Sequence, residues 1–159
     1  MQLFISNYSL KVDKKGRVSV PAAFRHVLSK GSSNEQMQLV AYNSFTNKCI
    51  EACSQGRLEQ LYEAIDQLDP FAPERDAFAN TILGQASVLS IDNDGRVILP
   101  ASLLEFAGID NEVVFVGKGK TFEIWHPQMY QNYAAKAREL ALAKRAALTL
   151  GQTVYNSKG

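Results

Sequence analysis

The chain has 159 residues, enough for one substantial core or two half-size units sharing one, and too few for a large multidomain enzyme. Its 46% hydrophobic and 21% charged residues match ordinary globular proteins and exclude wholesale disorder. The net charge of +1 hides an uneven distribution: residues 1–30 stand at +5, residues 31–90 at −5, residues 91–130 at −3 and residues 131–159 at +4. A protein neutral in bulk can therefore still present a basic face, set by its first 30 residues.

In chain order, the pattern predicts a strand over 8–12, a tight turn at Asp13-Lys14-Lys15-Gly16 and a second strand over 17–20. Pro21 then suits the first turn of a short amphipathic helix over 21–28, because a missing N–H is harmless there. Two strands follow, 37–42 and 48–52. Leu58, Leu61, Tyr62, Ile65 and Leu68 fall at helical spacing, Asp69-Pro70 breaks that helix, and a second is predicted over 73–83.

The series then starts again. A strand over 87–91 leads to the turn Asp92-Asn93-Asp94-Gly95, a strand over 96–99 and a helix over 100–106 that opens on Pro100 and stops near Gly108. Strands over 112–117 and 121–125 follow, turning at Gly117-Lys118-Gly119-Lys120. A longer helix rich in Ala and Leu is predicted over 127–148, and residues 151–159 have the small and polar look of a frayed tail.

Residues 13–22 align without a gap on residues 92–101, an offset of 79, with Asp, Gly, Arg, Val, Pro and Ala identical. Each half thus reads strand, turn, strand, short helix, two strands. Four short strands make a thin sheet with exposed edges, so the halves are expected to pair. The expected organisation is an N-terminal half over 1–53, a helical insert over 54–84, a C-terminal half over 85–126, a C-terminal helix over 127–150 and a tail over 151–159.

Two D-x-x-G-R-x-x-x-P turns half a chain apart, Leu83-Gly84-Gln85-Ala86 before the second and Phe122-Glu123-Ile124-Trp125 after it, resemble the MraZ family of bacterial transcriptional regulators. The resemblance covers about residues 3–130. It implies an α+β fold in which two pseudo-repeated halves, each like the AbrB-type swapped-hairpin DNA-binding domain, form a double swapped-hairpin β-barrel with added helices. It further implies a cytoplasmic, nucleoid-associated homo-oligomer, a ring of many subunits, bound to double-stranded DNA. The DNA would be short direct repeats upstream of the cell-division and cell-wall gene cluster, its own gene included. The chain departs from the family pattern at Ile5 and Ser6, where Arg and Gly are usual, at Asn80, where Arg is expected, and at Cys53, where an aromatic is usual.

On that reading the first turn enters the major groove, which admits a two-stranded ribbon. Arg17 has the planar fork that suits a guanine edge or a phosphate, and Lys11, Lys14 and Lys15 neutralise backbone charge, with Arg25 a weaker candidate one turn into the helix. Asp13 and Asp92 read as turn-forming caps, Gly16, Gly95, Pro21 and Pro100 as backbone residues, and Arg96 as structural, because Lys14-Lys15 becomes Asn93-Asp94 in the second copy. The alternative function is an oligomeric assembly or protein-interaction module that uses the same scaffold without binding DNA.

Other chemistry finds little footing. Cys49 and Cys53 are too few for a disulfide framework, and with the isolated His26 and His126 they lack the paired spacing of a zinc site. Asp92-Asn93-Asp94-Gly95 resembles part of a calcium loop, but Ala101 stands where the bidentate Glu belongs. Neither a metal nor a cofactor is expected. There is no nucleophile elbow, phosphate-cradling glycine loop or metal-binding histidine pair, so no enzyme is expected. No segment reaches the ~20 apolar residues of a membrane-spanning helix, and Met1 to Ser6 lacks the basic start and apolar run of a secretory signal; a cytoplasmic location without membrane contact is expected.

Overall fold

The computed structural model describes residues 2–30 and 36–150; the expected tail over 151–159 lies outside the described residues. It divides into two units, a first reaching Pro127 and a second from Gln128.

The first unit is mixed α+β with antiparallel sheets. The N-terminal half supplies β1 (Asn7–Lys11), β2 (Arg17–Ser19), α1 (Ala22–Lys30), β3 (Gln38–Asn43) and β4 (Ile50–Cys53). The insert supplies α2 (Gln55–Asp66) and α3 (Pro73–Phe78), and α3 runs on into a π turn, Ala79–Leu83. The C-terminal half repeats the first series with β5 (Ser87–Ser90), β6 (Arg96–Ile98), α4 (Ala101–Ala107), β7 (Glu112–Gly117) and β8 (Phe122–Trp125).

The strands that flank each Asp-x-x-Gly turn do not pair with each other. β1 pairs antiparallel with β7, β5 with β3, and β2 with β6, so each half lends its outer strands to the other. The hairpins β3–β4 and β7–β8 meet through β4 and β8, giving a six-stranded sheet of order β1-β7-β8-β4-β3-β5 beside the two-stranded β2–β6 ribbon. The closed barrel implied by the family resemblance is not drawn by these hydrogen bonds. β1 and β5 remain the edges of the larger sheet, and the β2–β6 ribbon is a separate two-stranded sheet that pairs with neither.

Burial explains the exchange. Val12, Val18, Val20, Phe24 and Leu28 from the first half share one core with Ile91, Val97, Leu99, Leu103 and Ala107 from the second. The rings of Phe4, Phe24, Phe115 and Phe122 pack together, with Phe4 and Phe122 centroids 4.8 Å apart and Phe24 and Phe122 4.9 Å apart. Each such buried side chain is worth about 1.5–3 kcal/mol of removed apolar surface, and neither half alone could enclose all four rings. α1 places Phe24 and Leu28 on this core, and α4 places Leu103 and Ala107 there; both pairs are spaced i, i+4 on one helical face. α2 packs Leu58 and Leu61 over Val40, Tyr42 and Cys53 on the opposite face of the sheet.

The helix predicted over 73–83 is interrupted: Gly84 N–H reaches back to Ala79 O at 2.9 Å, and a Cβ on Gly84 would lie 2.9 Å from Asn80 O. The chain before β1 docks on the second half, where Phe4 and Gly119 exchange two backbone hydrogen bonds of 2.8 and 2.9 Å. Ser6 there has φ 75°, a left-handed backbone that glycine adopts without strain, and it stands where the resemblance leads one to expect Gly.

α5 (Pro127–Ala143), which belongs to the second unit from Gln128 onward, gives way to a 3₁₀ turn, Arg145–Ala147, short of the single helix predicted to 148. No helix among the described residues is long and apolar enough to cross a membrane.

Candidate nucleic-acid interface

Each Asp-x-x-Gly-Arg turn is built the same way. Asp13 N–H donates to Arg17 O at 3.0 Å and Gly16 N–H to Asp13 O at 3.0 Å; in the second copy Asp92 N–H to Arg96 O and Gly95 N–H to Asp92 O are both 2.9 Å. The Asp13 carboxylate accepts from the N–H of Lys15 and of Arg17, each at 2.9 Å, and Asp92 does the same for Asp94 and Arg96. Chiefly through the Arg17 N–H, the Asp13 carboxyl is held below its ordinary value of 3.8, and the Arg96 N–H does the same for Asp92. Both aspartates therefore cap their turns.

The turns also hold each other. Val20 N–H donates to Gly95 O at 2.9 Å, and Leu99 N–H to Gly16 O at 2.8 Å. Gly16 and Gly95 have φ of 83° and 79°. A Cβ on Gly16 would lie 2.8 Å from Leu99 O, whereas one on Gly95 would meet the Arg25 guanidinium at 2.8 Å. Pro21 and Pro100 lead into α1 and α4, and their carbonyls accept from Arg25 N–H at 2.9 Å and from Leu104 N–H at 3.2 Å.

The β2–β6 register is symmetric about the Val18–Val97 pair, with Arg17 opposite Ile98 and Ser19 opposite Arg96. Val18 and Val97 are buried, so the alternation of a strand turns Arg17, Ser19, Arg96 and Ile98 together onto the outer face. Arg17 Nε lies 2.7 Å from Asp13 Oδ2, and its two terminal nitrogens make no hydrogen bond among the described residues.

Lys14 and Lys15 are exposed at the tip of the first turn, with no ion-pair partner among the described residues. Lys11 is exposed too, but its register partner across β1–β7 is Glu112. The structure brings Lys14, Lys15 and Arg17 into one turn. Arg25 lies elsewhere: it sits against Gly95 of the second turn and donates from Nε to Val20 O at 3.1 Å. Sequence reasoning placed Arg25 by its distance from the first turn along the chain and had no signal for the exchange that carries it to the second.

No group of three or more His, Cys, Asp or Glu converges as a metal site among the described residues. Cys53 on β4 and Cys49 just before it are both buried, and that burial pushes both thiols up.

The family model described as "MraZ protein, putative antitoxin-like" matches residues 82–152. A protein of Rickettsia bellii (strain OSU 85-389) described as "Transcriptional regulator MraZ" is 51% identical over 154 residues, which span 96% of this chain and 99% of the relative. Proteins of the same description from Rickettsia canadensis (strain McKiel) and Rickettsia akari (strain Hartford) are each 49% identical over 93% of this chain and 97% of theirs. Among solved structures, one in solution of a Pyrococcus horikoshii protein aligns with 76% of this chain and 87% of its own, at 13% identity and a TM-score of 0.31, too low to bear on fold or function.

Proposed function

Because the chain belongs to the MraZ family of transcriptional regulators, and so to no family of enzymes, we propose that it regulates transcription by binding double-stranded promoter DNA through its first Asp-x-x-Gly-Arg turn. The observation that supports this most directly is the exposed pair Lys14 and Lys15, unpaired among the described residues, at the tip of a turn whose backbone is fixed and whose next residue is Arg17. Cations held in a rigid concentrated group release counterions from a phosphate backbone, and an adjacent guanidinium can then read a base edge. Lys11 extends the basic surface back along β1. Arg25 contributes by holding the second turn against the first half, a structural role.

On this reading residues 1–53 are the DNA-binding half and residues 85–126 the partner that completes its fold, in the manner of exchanged AbrB-type hairpins. Residues 54–84 and 127–150 are additions to that frame. The finer part of the proposal follows the family: a ring of subunits in the nucleoid occupies short direct repeats upstream of the cell-division and cell-wall genes, including its own promoter. Several weak contacts made at once raise affinity through effective concentration, so one repeat should bind poorly and three well.

Footprinting of the upstream region of the gene, followed by mobility shifts on duplexes carrying one or three of the protected repeats, tests the proposal. Protection of a repeated element, with much tighter binding to three copies, is expected. Equal affinity for one and three removes the multivalent part. An Arg17→Ala chain that binds DNA normally but changes its oligomer size points instead to an assembly module.

A further inference from the structure

The ribbon that carries Arg17 is a near-perfect pseudo-dyad, since its register is symmetric about Val18 and Val97 and the backbone bonds of the two turns are duplicated. Were the side chains duplicated too, one chain would present two equivalent arms related by a two-fold axis. Such an object fits an inverted repeat, because operator symmetry mirrors protein symmetry.

The side chains break that symmetry on one face. The five residues of the first turn, 13–17, sum to +2, and those of the second, 92–96, to −1. Arg17 has one carboxylate neighbour, Asp13 at 2.7 Å. Arg96 is in contact with two: its Nε lies 3.4 Å from Asp92 Oδ2, and its Nη2 hydrogen-bonds Asp94 Oδ2 at 3.3 Å. Arg96 is thus shared between two carboxylates at longer distances, where Arg17 keeps one close contact. Asp94 is 78% exposed, and an exposed pair of this kind contributes little to folding. What it does change is the field at the tip of the second turn, where the first turn has Lys15.

We propose that Asp94 is a specificity-determining residue: by occupying Arg96 and placing negative charge at the tip of the second turn, it keeps that turn off the phosphate backbone. One chain then reads one half-site in one direction. This inference rests on the DNA-binding role proposed above for the first turn.

The test uses the full chain and a random-sequence duplex, with affinity measured against salt concentration. Asn93→Lys combined with Asp94→Lys gives the second turn the tip residues of the first without touching Asp92, Gly95 or the buried valines. Lys14→Ala with Lys15→Ala should lower the salt slope of the wild-type chain by about two units, and Arg96→Ala should leave it unchanged. The Asn93→Lys, Asp94→Lys chain should raise the slope by about two units, and its binding should become sensitive to Arg96→Ala. A folded double-lysine chain that keeps the wild-type slope overturns the inference and leaves the DNA reading intact. So does a wild-type chain that Arg96→Ala weakens as much as Arg17→Ala does. Wild-type binding indifferent to Lys14 and Lys15 overturns the DNA reading, and this inference with it.

Discussion

The first and second Asp-x-x-Gly-Arg turns hold the same hydrogen bonds at nearly the same lengths, with glycine in the same left-handed conformation, yet one ends in two lysines and the other in Asn93 and Asp94. The shared part is the scaffold: an aspartate cap, a glycine and a buried valine fix the backbone whatever the tip carries. The differing part leaves those backbone bonds in place and changes the summed charge from +2 over residues 13–17 to −1 over residues 92–96. What lies beneath each turn also differs, since Gly16 faces Leu99 O and the Leu104 side chain, and Gly95 faces the Arg25 guanidinium.

That last contrast gives the largest expected effect. Gly16→Ala combines a left-handed backbone penalty with a clash against a backbone carbonyl and should cost about 2–5 kcal/mol of stability. Gly95→Ala meets the far end of a flexible side chain and should cost about 1–2 kcal/mol, mostly backbone strain. Urea denaturation of the two variants measures the gap, and equal losses would mean that the turns are not packed as differently as their surroundings indicate.

For binding, Arg17→Ala should weaken specific DNA affinity by about 1–3 kcal/mol, and Arg96→Ala by no more than about 0.5 kcal/mol, the scale of a surface substitution away from an interface. Titration of both against the footprinted duplex by fluorescence anisotropy reads the difference. A smaller effect is expected where the chain enters each half. Ser6, before β1, is the one described non-glycine residue with positive φ, and Gln85, at the matching place before β5, is not strained in this way. Ser6→Gly should therefore raise stability by about 1 kcal/mol, seen as a higher urea midpoint, while Gln85→Gly should not.

Acid should act on both turns alike. Asp13 and Asp92 have carboxyls held below the ordinary 3.8 in the folded chain. Their stabilisation is thus fully present above that value and is lost as the pH falls through and below it. Unfolding followed from neutrality downward should show no contribution from either aspartate until about pH 4. Asp13→Asn and Asp92→Asn should then flatten the acid limb to a similar degree. A clear inequality between them would show that the Arg17 and Arg96 ion pairs, and not the shared N–H caps, set the shift.

The turns were legible in the sequence because the residues that shape them lie within nine positions, Asp13 to Pro21 and Asp92 to Pro100: the cap, the positive-φ glycine and the proline that opens the next helix. The short helices and most strands were legible for a similar reason, through their apolar spacing and breakers. Arg25 was not, nor was the π turn at Ala79–Leu83, which follows a helix whose periodicity looks regular and ends where Gly84 lies close to Asn80. Ser6 reads in the sequence only as a departure from what the family resemblance implies, and its left-handed backbone is one that glycine adopts without strain.

By itself, then, the sequence determined the repeat, the shape of its two turns and which of them is basic, since local hydrogen bonding and formal charge do not depend on distant residues. Only the tertiary structure decided that β1 pairs with β7, β5 with β3 and β2 with β6, and hence that Arg25 of one half supports the turn of the other. Alternation along a strand says which face seeks a core. It does not say which distant strand completes it, and here the four phenylalanine rings and the paired valines are enclosed only when the halves exchange strands.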